Sequence, residues 1–390
     1  MKTPLNNISA TQSYLASVRG DKGIWVIIIM LSLISLVAIY SSTNSIAYSL
    51  GRSAHFYFFK HLGFVTLGLA TLYVCHLIPL GWYRKLAFPC LVLSAILLIT
   101  TLLKGSTNHQ ATRSLSTFGI SISSAEIVKV AMVLYIAKVI EDRKFETFKD
   151  FSIYLMFPIA TLTLMLMWGS ISAGLLLVGT SFLILLIAGI SFKHLYKMIG
   201  IYFAGLCLVV FLAHSTPAFK RILTAEQRFL SWVKGEHEEK KGPTQIDYAK
   251  MAVASGGIFG KGPGNSTQRY ILPESHHDFI YAIIIEEYGI IGGSVVLMLF
   301  LWLFFRTILI SKKCTRSFSS MLVIGLGLLI ALQAILHIGV NVGIMPVTGQ
   351  TLPLVSLGGT SFIAVSAAFG MILAVSRTLE KDQTNKEYVL

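Results

Sequence analysis

The sequence predicts an all-α, polytopic integral membrane protein with ten transmembrane helices. Of the 390 residues, 54% are hydrophobic and only 13% are charged, and the mean hydropathy of +0.72 exceeds that of soluble domains. Apolar runs of about twenty residues, the length that crosses a bilayer, recur along the chain. These runs are 23–42, 58–77, 86–103, 121–140, 151–168, 173–192, 196–214, 279–305, 321–340 and 361–377.

The distribution of basic residues predicts that both termini are cytoplasmic. With the N-terminus inside, most of the 32 lysines and arginines fall in inner segments, and the short outer loops contain only Arg52, Lys60, Lys104 and Arg113. The long segment 215–278 has more basic residues, but the rule does not apply to loops of that length. The predicted organisation is a cytoplasmic segment 1–22, a membrane domain 23–377 with one long outer loop between its seventh and eighth helices, and a cytoplasmic tail 378–390.

Several classes of function are excluded by composition. The net charge of +14 follows the inner loops, so no nucleic-acid partner is expected. The sequence contains no G-x-x-x-x-G-K-[ST] motif, the nucleotide-binding loop that a nucleotide-driven transporter would show. Any chemistry is therefore expected on the outer face. The cysteines lie in or beside apolar runs without C-x-x-C spacing, which predicts small buried side chains rather than a metal cluster or a disulfide framework. They are Cys75, Cys90, Cys207 and Cys314.

A glycine-rich stretch, "ASGGIFGKGPGNSTQRY", precedes the eighth apolar run. Its glycines are too dense for a helix interior, so we expect a loop or a broken helix. Glycines let backbone N–H groups approach an anion, and Lys261 and Arg269 flank them. A phosphate-type ligand and a merely flexible outer loop are both compatible with this pattern.

The next residues, "ILPESHHDFI", place Asp278 where the eighth helix begins. We expect Ser275 to cap the helix and Asp278 to lie in its first turn, where the helix dipole stabilises a carboxylate. A capping role explains Asp278, but a charge at the membrane boundary is costly, so a functional role is equally consistent. A zinc site on His276 and His277 is disfavoured, because adjacent helical residues point about 100° apart.

Acidic residues recur deeper in the apolar runs. Glu286 and Glu287 are expected to pair with an intramembrane cation or to line a polar cavity, and Lys129, well inside the fourth apolar run, is the candidate cation. Glu126 and Lys129 are spaced i, i+3 and share a helix face. A structural ion pair and a substrate cavity both fit that pair.

The last outer segment, "NVGIMPVTGQTLPLVSLGGTS", interrupts apolar sequence with prolines and glycines. Non-helical backbone at membrane depth is tolerated only against protein or water, so a re-entrant segment or a cavity wall is expected. A discontinuous helix in a secondary transporter would have similar sequence, and a transporter therefore remains an alternative.

Taken in order, the motifs G-x-G-x-x-x-S, L-P-E-x-x-x-D-F, E-E-x-G and L-P-x-x-S-x-G-G-[ST]-S resemble the SEDS family of shape, elongation, division and sporulation proteins. The resemblance covers most of the chain, and its last motif is more similar to division-type than to elongation-type members. It implies a peptidoglycan glycosyltransferase that polymerises lipid II at the outer face of the bacterial cytoplasmic membrane. A lipid II flippase, an elongation polymerase and a scaffold for division proteins are the alternatives.

The resemblance also implies roles for individual residues. Asp278 matches the essential carboxylate and would be the general base. The implied substrate-binding residues are Lys261, Ser266, Arg269, Glu274, Arg113, Lys129, Glu126 and Ser356, with Lys261, Arg269 and Arg113 as cations for the leaving pyrophosphate. Structural or cavity-lining roles fall to Glu286, Glu287, Pro353, Gly358 and Gly359.

A divalent cation, Mg²⁺ or Mn²⁺, and no organic cofactor are implied as well. The implied partners are lipid II, a class B penicillin-binding protein of the FtsI type, divisome proteins and membrane lipid. Three motifs depart from the family pattern: Ala-x-Arg-Trp, Gln-Pro-Ser-Glu and Pro-Asp-x-Gly-Thr are replaced at Ala111–Ser114, Ser123–Glu126 and Gly169–Ala173. No second acid is therefore available at the last of these turns.

Overall fold

The computed structural model describes residues 19–49, 54–104, 114–117, 120–215, 230, 232–233, 244–272 and 276–387. Within these residues, each of the ten predicted apolar runs coincides with a long helix. The first seven are α1 (Lys22–Ser49), α2 (Ala54–Leu77), α3 (Leu80–Lys104), α4 (Ser124–Asp142), a composite of α5 (Phe148–Phe151), a π-helical turn (Ser152–Met156) and α6 (Phe157–Gly169), then α7 (Ile171–Ile187) and α8 (Phe192–Ser215). A shorter helix, α9 (Gln245–Gly256), precedes α10 (Ile280–Lys313), α11 (Ser317–Asn341) and α12 (Gly359–Glu387).

The described helices confirm a polytopic membrane protein. By length and hydropathy, 7 of them could cross a membrane, namely α1, α2, α3, the composite of α5 and α6, α10, α11 and α12, and α7 is a shorter apolar helix. Helix α4 is less apolar because it contains Glu126, Lys129 and Lys138. Apart from one hairpin and irregular connections, the residues that the structure describes are helical.

The predicted helix boundaries differ from the observed ones in two ways. The fourth helix was expected to start at 121, but Ile120–Ser123 is a strand, β2, that pairs antiparallel with β1, Ser114–Thr117. Most helices also extend past their apolar runs; α12, for example, continues to Glu387. Hydropathy identifies the part of a helix that lipid or protein covers, whereas polar residues continue the same helix into the interface.

Helix ends lie on two opposite faces. On the first, Gly20 N donates to Glu380 Oε2 at 2.7 Å and Arg377 Nη2 donates to the Leu77 carbonyl at 2.9 Å. We name this side the terminal face, because it contains the start of α1 and the end of α12. Helix α10 has 34 residues and ends on the terminal face, where Arg306 pairs with Asp21. A straight helix of that length would span about 50 Å, so its start lies on the opposite side, which we name the Asp278 face.

Helix α11 is enclosed by α4, α7, α10 and α12, and buried residues occur all around it. Helices α2 and α12 pack closely through small residues, as helices in membranes do. A Cβ at Gly370 would lie 2.5 Å from the Leu72 carbonyl oxygen. Close packing around α11 fixes the helix that contacts the Asp278 turn.

Candidate active site

Helix α10 is broken two turns into its length, at Gly289 (φ 70°, ψ −174°). The break leaves the carbonyls of Glu286 and Glu287 without helical donors, and the glycine-rich stretch supplies them. Lys261 N donates to the Glu286 carbonyl at 2.9 Å and Gly262 N donates to the Glu287 carbonyl at 3.0 Å. The break is therefore completed by backbone hydrogen bonds from the loop, as non-helical backbone at this depth requires.

The contact requires glycine on both sides. The helix also donates to the loop, because Ile290 N donates to the Gly257 carbonyl at 2.9 Å. A Cβ at Gly260 would lie 2.2 Å from the Glu287 carbonyl oxygen, and one at Gly289 would lie 2.0 Å from the Ile258 carbonyl oxygen. The glycine-rich stretch is thus a loop, as predicted, and its glycines permit backbone to pack on backbone.

Glu286 organises the same loop from inside the protein. Its carboxylate is fully buried and accepts hydrogen bonds from Lys261 Nζ at 2.6 Å and Thr267 N at 3.1 Å. Ser266 Oγ, Thr267 Oγ1, Gln268 N and Ser255 Oγ also donate to it. The predicted pairing of Glu286 with Lys129 is wrong, because the closer cation comes from the loop.

Glu287 has a separate set of partners. It accepts a hydrogen bond from Ser41 Oγ of α1, and Arg269 Nη1 lies 3.8 Å from its carboxylate. Arg269 is 7% exposed, and its Nη1 also donates to the Ser41 carbonyl at 3.0 Å. Glu287 therefore ties the loop to α1 and, like Glu286, does not pair with Lys129.

Lys129 lies in a separate polar cluster at the centre of the bundle. Its side chain is 0% exposed, and Nζ donates to Glu126 Oε1 at 2.8 Å and to Gln333 Oε1 at 2.7 Å. Gln350 Oε1 is 3.4 Å away. The predicted i, i+3 pair of Glu126 and Lys129 is confirmed, and α11 and the segment after it contribute neutral partners.

Asp278 lies in a turn before α10, not in its first turn as predicted. The helix begins at Ile280, its N-cap is Phe279, and no side chain caps it. The predicted cap, Ser275, lies outside the described residues. Asp278 is half-buried. Because the helix starts two residues later, the turn must be held by contacts other than helix capping.

Those contacts come from the end of α11 and the segment that follows it. Three consecutive main-chain carbonyls of the turn each accept a hydrogen bond. Leu357 N donates to His276 O at 3.0 Å, Ser356 Oγ donates to His277 O at 2.8 Å, and Asn341 Nδ2 donates to Asp278 O at 3.0 Å. The backbone beneath the Asp278 side chain is therefore fixed at three adjacent peptide groups.

The segment between α11 and α12 is irregular and largely buried, as its prolines and glycines predicted. Pro353 precedes Leu354, which has a left-handed φ of 58°, unusual for a residue with a branched side chain. Ser356 Oγ accepts from Leu352 N at 2.8 Å, and a Cβ at Gly359 would lie 2.8 Å from the Phe64 ring. Tight packing holds the segment against the Asp278 turn.

The turn that replaces Pro-Asp-x-Gly-Thr supports the same segment. Ser172 Oγ donates to the Thr348 carbonyl at 2.6 Å and accepts from Gln350 Nε2 at 3.1 Å. Ser170 Oγ is 3.1 Å from Ser172 Oγ. Hydroxyl groups here stabilise backbone at a position where the sequence has no acid.

A metal site is not supported by the described residues. The rings of His276 and His277 are 4.3 Å apart, and burial lowers the pKa of His276 to about 3, with His277 adding to the shift. Within the described part of the chain, no three His, Cys, Asp or Glu side chains come together as a metal site would require. Arg113 and Glu274 lie outside the described residues.

A family model described as "Cell cycle protein", covering FtsW, RodA and SpoVE, matches residues 21–381. The chain belongs to the FtsW/RodA/SpoVE family. It is 30% identical to "Probable peptidoglycan glycosyltransferase FtsW" of Coxiella burnetii, over 91% of this chain and 96% of that one. The corresponding Bacillus subtilis protein is 31% identical, over 92% and 91%. Stage V sporulation protein E of Bacillus subtilis is 30% identical, over 90% and 95%.

Solved structures of the family share the fold. A chain of a peptidoglycan synthase complex, studied for "structural coordination of polymerization and crosslinking", has a TM-score of 0.74 and 22% identity and covers 93% of this chain and 99% of its own. The rod shape determining protein RodA of Thermus thermophilus has a TM-score of 0.66 and 22% identity, over 92% and 97%. The predicted SEDS membership and fold class are confirmed.

Sequence reasoning missed several residues of this FtsW/RodA/SpoVE site. Gln333, His337 and Asn341 recur at intervals of four on α11, so one face of an apolar helix is polar. That pattern would have identified them. Lys250 was also missed, because α9 was not predicted; its Cε would lie 2.3 Å from a Cβ at Gly343, two residues after Asn341.

Proposed function

We propose that this chain is a peptidoglycan glycosyltransferase that polymerises lipid II, with Asp278 as its general base. One observation carries the assignment of the base. Asp278 is a half-buried carboxylate on the face opposite the termini, in a turn that three side-chain and main-chain donors hold in place. The names of the relatives, which describe peptidoglycan glycosyltransferases, support the reaction class.

The proposed reaction needs only this carboxylate for proton transfer. Asp278 accepts the proton of the 4-hydroxyl of the acceptor sugar, and the hydroxyl oxygen forms a bond to the anomeric carbon of the donor. The bond from that carbon to the undecaprenyl pyrophosphate oxygen breaks, and the configuration at the anomeric carbon is inverted. A fixed backbone supports this role, since general-base catalysis requires the carboxylate to stay within hydrogen-bonding reach of one proton.

The leaving pyrophosphate must be stabilised by cations. We propose different roles for the basic residues near the site according to their exposure. The Lys261 side chain is 30% exposed, so we propose that it contacts the pyrophosphate with Lys250 and Arg113. Arg269 is buried against Ser41, and we assign it to shaping the loop. We assign structural roles, rather than contact with the substrate, to four other buried side chains, those of Glu126, Lys129, Ser266 and Ser356.

Several expectations remain proposals. We propose that the terminal face is cytoplasmic, because the basic residues of the short loops concentrate there. A class B penicillin-binding protein is the proposed partner, supported by the likeness to a chain of a synthase complex that couples polymerization to crosslinking. Divisome proteins are proposed partners as well. A divalent cation stays a prediction, and no step proposed above depends on one.

The experiment that tests the proposed function is polymerisation of lipid II by the purified protein, with and without a class B penicillin-binding protein. Glycan strands separated by electrophoresis are the expected product. A second assay, with the protein reconstituted in vesicles, would report movement of labelled lipid II between leaflets. Movement without polymer under any condition would overturn the proposal and favour a flippase.

A further inference from the structure

A basic pocket on the terminal face is separate from the candidate active site. Its cavity of about 310 Å³ is lined by residues of α3, α4 and α11. We propose that this pocket binds the phosphate of an anionic phospholipid headgroup. The lining residues that carry charge are Arg84, Lys85, Lys138, Glu141 and Arg316.

The pocket has an excess of positive charge. Arg84 pairs with Glu141 at 3.1 Å and also with Asp142, so the two nearby acids are already held by one cation. Among the described residues, no ion pair involves Lys85, Lys138 or Arg316. Three cations therefore face one cavity with no described carboxylate to neutralise them, which favours an anionic ligand.

Two helix N-termini meet at the same cavity. Leu80 and Gly81 begin α3, and Phe318 and Ser319 lie in the first turn of α11. The N-cap of α11, Arg316, makes no side-chain cap hydrogen bond. The first N–H groups of a helix lack intrahelical acceptors and carry partial positive charge, so they attract phosphate oxygens. Cations and helix ends thus favour the same ligand.

The neighbouring surface indicates that the phosphate is attached to a lipid. Trp82, in the first turn of α3, is 58% exposed, and Lys85 Nζ lies 5.9 Å from the centre of its ring. Phe88, further along the same helix, is 55% exposed. Exposed tryptophan above exposed apolar residues is typical of the membrane–water interface, and basic pockets between helices at that level bind anionic headgroups.

The test measures retained lipid by native mass spectrometry of the full chain in detergent, titrated with phosphatidylglycerol or with phosphatidylcholine of the same acyl chains. We expect selective retention of phosphatidylglycerol. The double variant Lys138→Gln/Arg316→Gln should bind it roughly 25-fold more weakly, since each cation at an anionic surface contributes about fivefold. The charge-retaining Lys138→Arg/Arg316→Lys should bind it as the wild type does.

The matched control is Lys312→Gln/Lys313→Gln, which removes the same charge from the end of α10 on the same face, outside the pocket. It should retain phosphatidylglycerol normally. Inorganic phosphate serves as the soluble competitor. Failure to displace the lipid supports a lipid source, and displacement supports a free phosphate ligand in the same pocket. Equal retention of both lipids, or equal losses in Lys138→Gln/Arg316→Gln and the control Lys312→Gln/Lys313→Gln, would overturn the proposal.

Discussion

Asn341 Nδ2 donates a 3.0 Å hydrogen bond to the main-chain carbonyl of Asp278, so the end of α11 holds the backbone beneath the proposed base. The same side chain accepts from Ala282 N through Oδ1 at 3.0 Å. One buried amide therefore bridges the turn and the first turn of α10. Because the hydrogen bond reaches the backbone and not the side chain of Asp278, Asn341 can position the carboxylate without taking part in proton transfer.

Asn341→Ala should weaken polymerisation about 10- to 100-fold, because a displaced catalytic group loses its alignment. The buried Ala282 N–H would also lose its acceptor, which costs about 1–3 kcal/mol of unfolding free energy. Rates on lipid II and thermal unfolding in detergent measure both effects. Asn265→Ala is the control, because its amide also donates to a carbonyl, that of Lys261, from an exposed position; an equal loss of rate in both variants would argue against positioning.

Glu286→Gln should destabilise the loop and α10 together. An amide in place of the carboxylate would direct N–H groups at several donors and leave the Lys261 ammonium without its partner. Because Lys261 is 30% exposed, we expect a loss of about 2–3 kcal/mol, less than for a fully buried pair. A double-mutant cycle with Lys261→Met should show coupling, and strictly additive losses would contradict the pairing.

Gly289→Ala should cost more than about 3 kcal/mol, since its Cβ would overlap the Ile258 carbonyl in addition to the left-handed φ. Gly264→Ala is the matched control. Gly264 also has a positive φ, of 78°, but a Cβ there meets nothing within 4 Å. Its cost should be about 1–2 kcal/mol, the φ penalty alone. Similar midpoints of thermal unfolding for the two variants would show that the backbone contact does not matter.

Lys129→Met should lower stability by about 3–5 kcal/mol, because it leaves the Glu126 carboxylate buried and unpaired. Lys129→Met/Glu126→Gln should recover most of that loss, as both charges are then gone. Thermal unfolding of the single and double variants measures the recovery. A double variant that is less stable than Lys129→Met would show that the pair does not behave as one unit.

Much of the fold follows from the sequence, since hydropathy identifies buried helices one at a time. Each predicted run coincides with a helix, and the Glu126–Lys129 pair needed only the helical period. Contacts between residues far apart in the sequence were harder to predict. Glu286 was expected to pair with an intramembrane cation, for which Lys129 was the candidate, or to line a polar cavity, whereas its carboxylate pairs with Lys261 of the loop that packs on the break at Gly289.

The site was predicted in part for the same reason. Asp278 was identified through its motif, but the helix start at Ile280 and the hydrogen bonds from Asn341, Ser356 and Leu357 depend on packing of three separate segments. Local sequence does not specify such contacts. Only the four-residue spacing of polar residues on α11 offered a local signal for them.

Polymerisation of lipid II by Asp278→Asn tests the central claim most directly. The substitution keeps the shape of the side chain and the backbone bond from Asn341, and removes the base. We expect the rate to fall about 10²- to 10⁴-fold, the usual contribution of a general base, with little change in thermal unfolding. Asp247→Asn, which alters the capping box of α9, should cost about 1 kcal/mol of stability and keep the rate. Polymer formation by Asp278→Asn at the wild-type rate would contradict the account.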